Sequence, residues 1–183
     1  MKLGIVLLAT YLGVGLMPSP QSKQPTVQIK SLERRIFDLV NIERVKAKRL
    51  PLNLDPKLSD IARAHSGAMA RERFFAHDNP AGQGPDERAY AAGYECHHQE
   101  GRHLHEGIGE NILQNNLYSR EFIRGSQIIY EWNTEETIAL TTVRGWMASP
   151  DHRVNLLSEA YVQSGIGIAI SSDLKVLVTQ DFC

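Results

Sequence analysis

The last part of the chain changes its hydrophobic period, and that change limits the possible folds more than any other feature. Gly165–Ile170 (GIGIAI) and Val176–Phe182 (VLVTQDF) are strand-like runs separated by residues 171–175, the pattern of an antiparallel hairpin. Upstream, apolar residues recur at helical spacing instead. Leu32, Ile36, Leu39, Val40 and Ala47 mark a helix from about Ser31 to Lys48. Asp55–Pro56 reads as an N-cap followed by proline at the first helical position. The helix it opens carries Leu58, Ile61, Ala62, His65, Ala68 and Met69 to about Arg73. Asn79–Asp86 breaks regular structure and starts a further helix that Arg88–Ala92 continues to Gly93.

Gly93–Gly109 reads as a Gly/His-rich loop of 17 residues, longer than an ordinary connection. Ile112 begins a short buried segment, and Arg120–Met147 reads as helix with an interruption near Asn133. Ser149–Pro150 repeats the capping logic and opens a short helix through Leu157. Helices first and strands last predict an α+β domain layered as α-β-α.

With 183 residues, the chain suits one globular domain. Leu3–Met17 is an uncharged apolar run of 15 residues behind Lys2, matching a secretory signal. It is short for a transmembrane span. Residues 1–20 are therefore expected to be a signal peptide, with an N-terminal membrane anchor as the alternative, and residues 21–31 a flexible spacer. The expected location is extracellular or periplasmic, with no stable membrane span after processing. A formal net charge of −1 and no Lys/Arg stripe argue against a nucleic-acid partner. Cys96 and Cys183 can pair in an oxidising compartment. Free thiols or an intermolecular bond are the alternatives.

Searches for G-x-S-x-G, Walker A, C-x-x-C and H-E-x-x-H all fail, which excludes those particular chemistries. Three short polar islands remain: Phe74–His77, Gly109–Ile112 and Trp146–Leu157. His77 follows a helix end, where the dipole alone would favour a histidine. His152 falls at the third position of its helix, where the positive end disfavours imidazolium and leaves a neutral nitrogen for a metal or proton. Arg153 would reinforce that field or serve as an ion-pair partner. A carboxylate buried at Glu110 would need a partner, and imidazole is a suitable one. Asn111 is read as a structural amide tying loop backbone together. His65 sits on an apolar helix face and reads as a packed histidine. Cys96, His97, His98, His103, His105 and Glu106 offer metal donors at permissive spacing, suited to weak binding.

Taken in order, these motifs resemble the CAP superfamily, shared by cysteine-rich secretory proteins, insect venom antigen 5 and plant class 1 pathogenesis-related proteins. The likeness is closer to its prokaryotic branch of SCP-like extracellular proteins and runs from Glu33 to Phe182. It rests on Asn41-x-x-Arg44, Phe75-x-His77, Gly109–Ile112, Trp146-x-x-Ser149-Pro150-x-His152-Arg153-x-Asn155-x-Leu157, Gly165-x-Gly167 and Thr179-Gln180-x-Phe182. The resemblance implies a CAP/SCP-like domain over 32–183, a three-layer α-β-α sandwich with a central antiparallel sheet and an open cleft. In eukaryotic members two histidines and two glutamates line that cleft, and the histidines bind a divalent metal. His77, Glu110 and His152 match three of the four, with His77 and His152 as the implied Zn²⁺ ligands. At the fourth place this chain has Ser149. Glu131, Glu135 or Glu136 could substitute only if the stretch 127–142 folds back into the cleft. Asn41, Arg44, Asn111, Trp146, Ser149, Pro150, Arg153 and Asn155 match framework positions. The expected function is binding of a small lipid-like, glycan or peptide ligand. A metal-dependent extracellular hydrolase, with Glu110 as candidate catalytic group, is the alternative.

Overall fold

A computed structural model describes residues 23–100 and 103–183, leaving aside the side chains at 98–100 and 103–105. The segment expected to be a signal or anchor, 1–20, lies outside the described residues, as do the first two spacer positions. Helix α1 spans Ile29–Lys46, so it begins inside the expected spacer. Helix α2 spans Pro56–Glu72, and Asp55 caps it by accepting from the N–H groups of Lys57 and Leu58 at 2.7 and 3.1 Å. A short helix α3 follows at Pro85–Ala91.

Four strands form the central sheet in the order β1–β7–β8–β4. They are β1 (Asn53–Leu54), β4 (Gly109–Asn116), β7 (Gln163–Ile170) and β8 (Lys175–Phe182). The expected terminal hairpin is β7–β8, and β4 pairs antiparallel with β8 along its whole length. Only the two-residue β1 runs parallel to its neighbour.

Strand alternation sorts side chains into two layers. Ile166, Ile168, Val176, Val178 and Phe182 join α1 and α4 (Glu135–Ala148) in the main core, together with Leu156 of α5 (Pro150–Leu157). The intervening positions face α2: Ile112 and Leu177 pack with Met69, and Ser66 hydrogen-bonds the Gly167 carbonyl and Thr179. The result is the expected α+β sandwich, with α2 on one face and α1, α4 and α5 on the other. The close approach of α2 requires glycine in β7. A Cβ on Gly165 would lie 2.1 Å from the Ser59 nitrogen, and one on Gly167 2.0 Å from the Arg63 nitrogen.

Three expectations need correction. The predicted long helix from Arg120 is a β-hairpin, β5 (Tyr118–Arg124) and β6 (Gln127–Trp132), followed only then by α4. Its turn uses Gly125 at φ 63°, and Phe122 and Ile123 pair with Ile129 and Ile128 across it. β-Branched and aromatic side chains at these positions favour strand over helix, and Thr134 caps the real helix start through the Thr137 N–H. The predicted long loop holds a second hairpin, β2 (His97–Glu100) and β3 (His103–Glu106), and β4 begins at Gly109 rather than Ile112.

The framework residues lock these layers together. Arg44, 2% exposed, donates to the carbonyls of Leu50, Leu156 and Ser158 at 2.8–2.9 Å. Burial, then the neighbouring Arg49 charge, lowers its pKa. Asn41 exchanges two hydrogen bonds with the Leu52 backbone. Trp146, fully buried, donates to the Ile112 carbonyl at 3.2 Å. Ser149 and Pro150 hold the N-cap and first position of α5, although the serine side chain makes no capping bond. Arg153 remains at the surface and donates to the Met147 carbonyl at 3.3 Å. Cys96 and Cys183 form an intramolecular disulfide with Cα atoms 5.7 Å apart.

Candidate functional site

Glu110 is the centre of the site. It sits second in β4, on the α2 side of the sheet, with its side chain 1% exposed. An isolated carboxylate at that depth is costly, and an imidazole and a guanidinium resolve it. His77 Nδ1 lies 2.7 Å from Glu110 Oε1, and Arg88 donates from Nη2 to Oε2 at 2.5 Å. His77 reaches the pair from the segment after α2, which two further bonds hold in place. His65 Nε2 donates to the Ala76 carbonyl at 3.0 Å, and Arg88 Nη1 donates to the His77 carbonyl at 2.6 Å. His65, 1% exposed, is the packed histidine the helix pattern predicts. Burial, first of all, lowers its pKa, so the ring is neutral and Nδ1 is an acceptor.

His152 enters from α5. Its ring is partly exposed, and its backbone carbonyl accepts from Asn111 Nδ2 at 2.9 Å. Asn155 completes this seam by donating to the Asn111 side chain at 3.0 Å and to the Glu110 carbonyl at 3.2 Å. Asn111 is thus structural as expected, but it ties a strand to α5 rather than organising a loop. The hydrogen bond that His77 donates to Glu110 raises its pKa against the opposing effect of burial. Burial and then the charge of His77 lower that of His152. Burial is therefore the first cause of a neutral His152, ahead of the helix-end field inferred from its position. The two imidazoles are thus shifted in opposite directions. His77 is 48% exposed in its side chain, so this edge of the site meets solvent.

Two members of the site are absent from the sequence reading. Arg88 looked like one charge among 20 Lys and Arg residues, with no spacing to distinguish it. Asp181 stands directly opposite Glu110 in the β4–β8 register and is fully buried, with no hydrogen-bond partner for either oxygen. A usable signal existed here. An acid at the inward-facing position of a core strand demands neutralisation. Burial, then the Glu110 charge, pushes its pKa well above the usual carboxylate range. The suggested substitutes for a fourth acid do not enter the site. Glu131 pairs with Arg120 at 4.0 Å, Glu135 accepts from the Gln28 N–H at 2.7 Å, and Glu136 pairs with Arg35.

The raised Asp181 pKa makes stability depend on pH. As pH rises past 3.8, the ordinary carboxylate value, the unfolded chain loses this proton while the folded chain keeps it. Stability from this group therefore falls with rising pH until the folded pKa is passed. An Asp181→Asn variant is expected to be more stable than the parent at neutral pH, with a flatter profile above pH 4. Urea unfolding across that range checks this; parallel profiles would refute it.

The possible metal donors narrow in the same way. Cys96 is in the disulfide and cannot ligate, while His97 Nδ1 lies 3.9 Å from Glu106. Among the described residues, no cluster of three or more His, Cys, Asp or Glu is arranged to hold a metal ion. His77 and His152 are the two imidazoles of this site, and the charge of His77 acts on the His152 ring. Their donor chemistry suits a borderline ion such as Zn²⁺ with water or ligand completing the shell. Glu110 has both oxygens engaged by protein, which fits it to orient the His77 ring.

Residues 37–182 match the Cysteine-rich secretory protein family, CAP. The chain belongs to this family. Among similar proteins, the uncharacterized protein YkwD of Bacillus subtilis is 26% identical over 146 residues, covering 80% of this chain and 46% of that protein. The chain spans less than half the length of the curated relatives it matches. An extracellular SCP-domain protein of Bacillus anthracis shares the fold at TM-score 0.59 and 24% identity, over 87% of this chain and 44% of that one. An outer surface protein of Borrelia burgdorferi does so at TM-score 0.62 and 15% identity, over 87% and 97% respectively. These structural relatives are described as extracellular or outer-surface proteins. Among the described residues of this CAP domain, no helix is long and apolar enough to cross a membrane.

Proposed function

We propose that this CAP domain is an exported, non-enzymatic binding module. Its His77–Glu110–His152 cleft receives a small lipid-like, glycan or peptide ligand, and Zn²⁺ or a similar ion held by His77 and His152 orders the cleft. The observation that carries this reading is the double engagement of Glu110 by His77 and Arg88. A hydrolase would need that carboxylate free to take a proton from water. Engaged by Arg88 on one oxygen and His77 on the other, it instead fixes the imidazole that faces solvent. Export is supported by the disulfide, which forms in oxidising compartments, and by the described locations of the structural relatives.

Calorimetric Zn²⁺ titration of the metal-stripped protein tests the site, beside a folded His77→Ala/His152→Ala variant. One bound ion, lost in the variant, is the expected result. Equal binding by both proteins would move the site to the 96–106 region, and no binding by either would remove zinc from the proposal.

A further inference from the structure

Four of the seven histidines fall between positions 97 and 105, and the cleft uses none of them. In a loop their spacing would be permissive, but the β2–β3 hairpin fixes it. His98 stands opposite His105, and Glu100 stands opposite His103. Residues two apart on a strand share a face, and so do residues paired across an antiparallel ladder. His98, Glu100, His103 and His105 therefore fall on one face of the hairpin, and His97, Gln99, Leu104 and Glu106 on the other.

Strand geometry sets the distances between these positions. Paired residues bring their Cβ atoms to about 4.5–5.5 Å, and two residues along a strand span about 6.6 Å. Three histidines and a glutamate thus occupy the corners of a rectangle of about 5 by 7 Å. The opposite face shows how close a paired couple comes in this hairpin: His97 Nδ1 and Glu106 Oε1 are 3.9 Å apart. The base of the hairpin is tied to the domain. Cys96, directly before β2, is bonded to Cys183, Gly107 donates to the Cys96 carbonyl at 3.1 Å, and Ile108 donates to Asp86 Oδ1 at 2.7 Å.

We propose that the hairpin face carrying His98, Glu100, His103 and His105 is a Cu²⁺ site. Three imidazoles and one carboxylate at the corners of a rectangle make a tetragonal nitrogen and oxygen set, the arrangement that suits Cu²⁺. Zn²⁺ prefers a tetrahedron and stands below Cu²⁺ in the affinity order of such sites. The face shares no residue with the His77–His152 pair, so either metal assignment can fail without the other.

Cu²⁺ titration of the full chain, followed by electron paramagnetic resonance, tests the assignment in the His77→Ala/His152→Ala background, where the cleft imidazoles are gone. One Cu²⁺ per chain is expected, with an axial spectrum split by nitrogen, and with Zn²⁺ weaker there by at least about 100-fold. Adding His98→Ala/His105→Ala should weaken Cu²⁺ by at least about 100-fold. His103→Ala, a smaller change to the same face, should weaken it in the same direction if the double replacement does not fold. His97→Ala, on the opposite face, should leave affinity and spectrum unchanged. Undiminished Cu²⁺ binding in a folded variant of the histidine face would overturn the proposal. So would an equal loss in His97→Ala, Zn²⁺ binding as tight as Cu²⁺, or no saturable Cu²⁺ binding at all.

Discussion

A Gly167→Val protein is expected to be largely unfolded at room temperature, and Gly167→Ala to lose about 3 kcal/mol or more. The reason lies in what the new atom would strike. A Cβ there would sit 2.0 Å from the Arg63 nitrogen and 2.2 Å from the Ala62 carbonyl carbon. These are helix backbone atoms, so no side-chain rotation relieves the clash. Either α2 lifts from the sheet or β7 bends away. Lifting α2 also breaks the Ser66 bond to the Gly167 carbonyl at 2.9 Å and opens the packing of Met69 on Ile112 and Leu177. Total stabilities of about 5–15 kcal/mol leave little margin for a valine. Gly125 provides the control. A Cβ there meets nothing within 4 Å, and only its φ of 63° opposes alanine. Gly125→Ala should therefore cost about 1–2 kcal/mol. Urea unfolding followed by circular dichroism separates the two cases; a parent-like midpoint for Gly167→Ala would contradict the packing described.

Removing the disulfide by Cys96→Ser/Cys183→Ser should cost about 4–5 kcal/mol. The crosslink spans 87 residues, and closing a loop of that length removes roughly this much chain entropy from the unfolded state. For a domain of this size the unfolding temperature should drop by roughly 10 °C or more. The effect should also reach the site. Cys183 directly follows β8, where its backbone exchanges hydrogen bonds with Gln163, while Cys96 follows α3, the helix that carries Arg88. Without the crosslink, α3 loses one of its ties to the sheet, and the Arg88–Glu110 contact loosens. Differential scanning calorimetry reads the first effect. NMR titration of His77 reads the second, as a fall of its pKa toward the ordinary histidine value. A variant with parent stability would show that the bond contributes nothing beyond native contacts.

Much of the site was legible where local chemistry is strong. His77 and Glu110 are 33 residues apart, yet each stands beside a segment that packing must bury, and a buried carboxylate needs a cation. The pairing of Cys96 with Cys183 and the burial of His65 were likewise within reach of composition and periodicity. The expected helix from Arg120 fails over 120–132 because the apolar repeat of α4, genuine from Ile138 to Met147, does not extend back past the break expected near Asn133, where Thr134 caps the real start. Helical and strand readings of short apolar runs overlap, and in such runs β-branching and a turn glycine are the better guides. Arg88 was invisible for a different reason. Its partner comes from another element, and nothing in the local sequence says which of many cations will face a given acid.

By itself the sequence determined which segments become helices with strong caps, which strands close the chain, and which face of each is apolar. Period and capping are local properties, set by backbone geometry within a few residues. Only the tertiary structure decided that Asp181 would stand opposite Glu110, that Arg88 would close the carboxylate from the α3 side, and that α2 would press on two glycines of β7. Those outcomes depend on strand register and on the distance between layers, which are set by the packing of the whole domain.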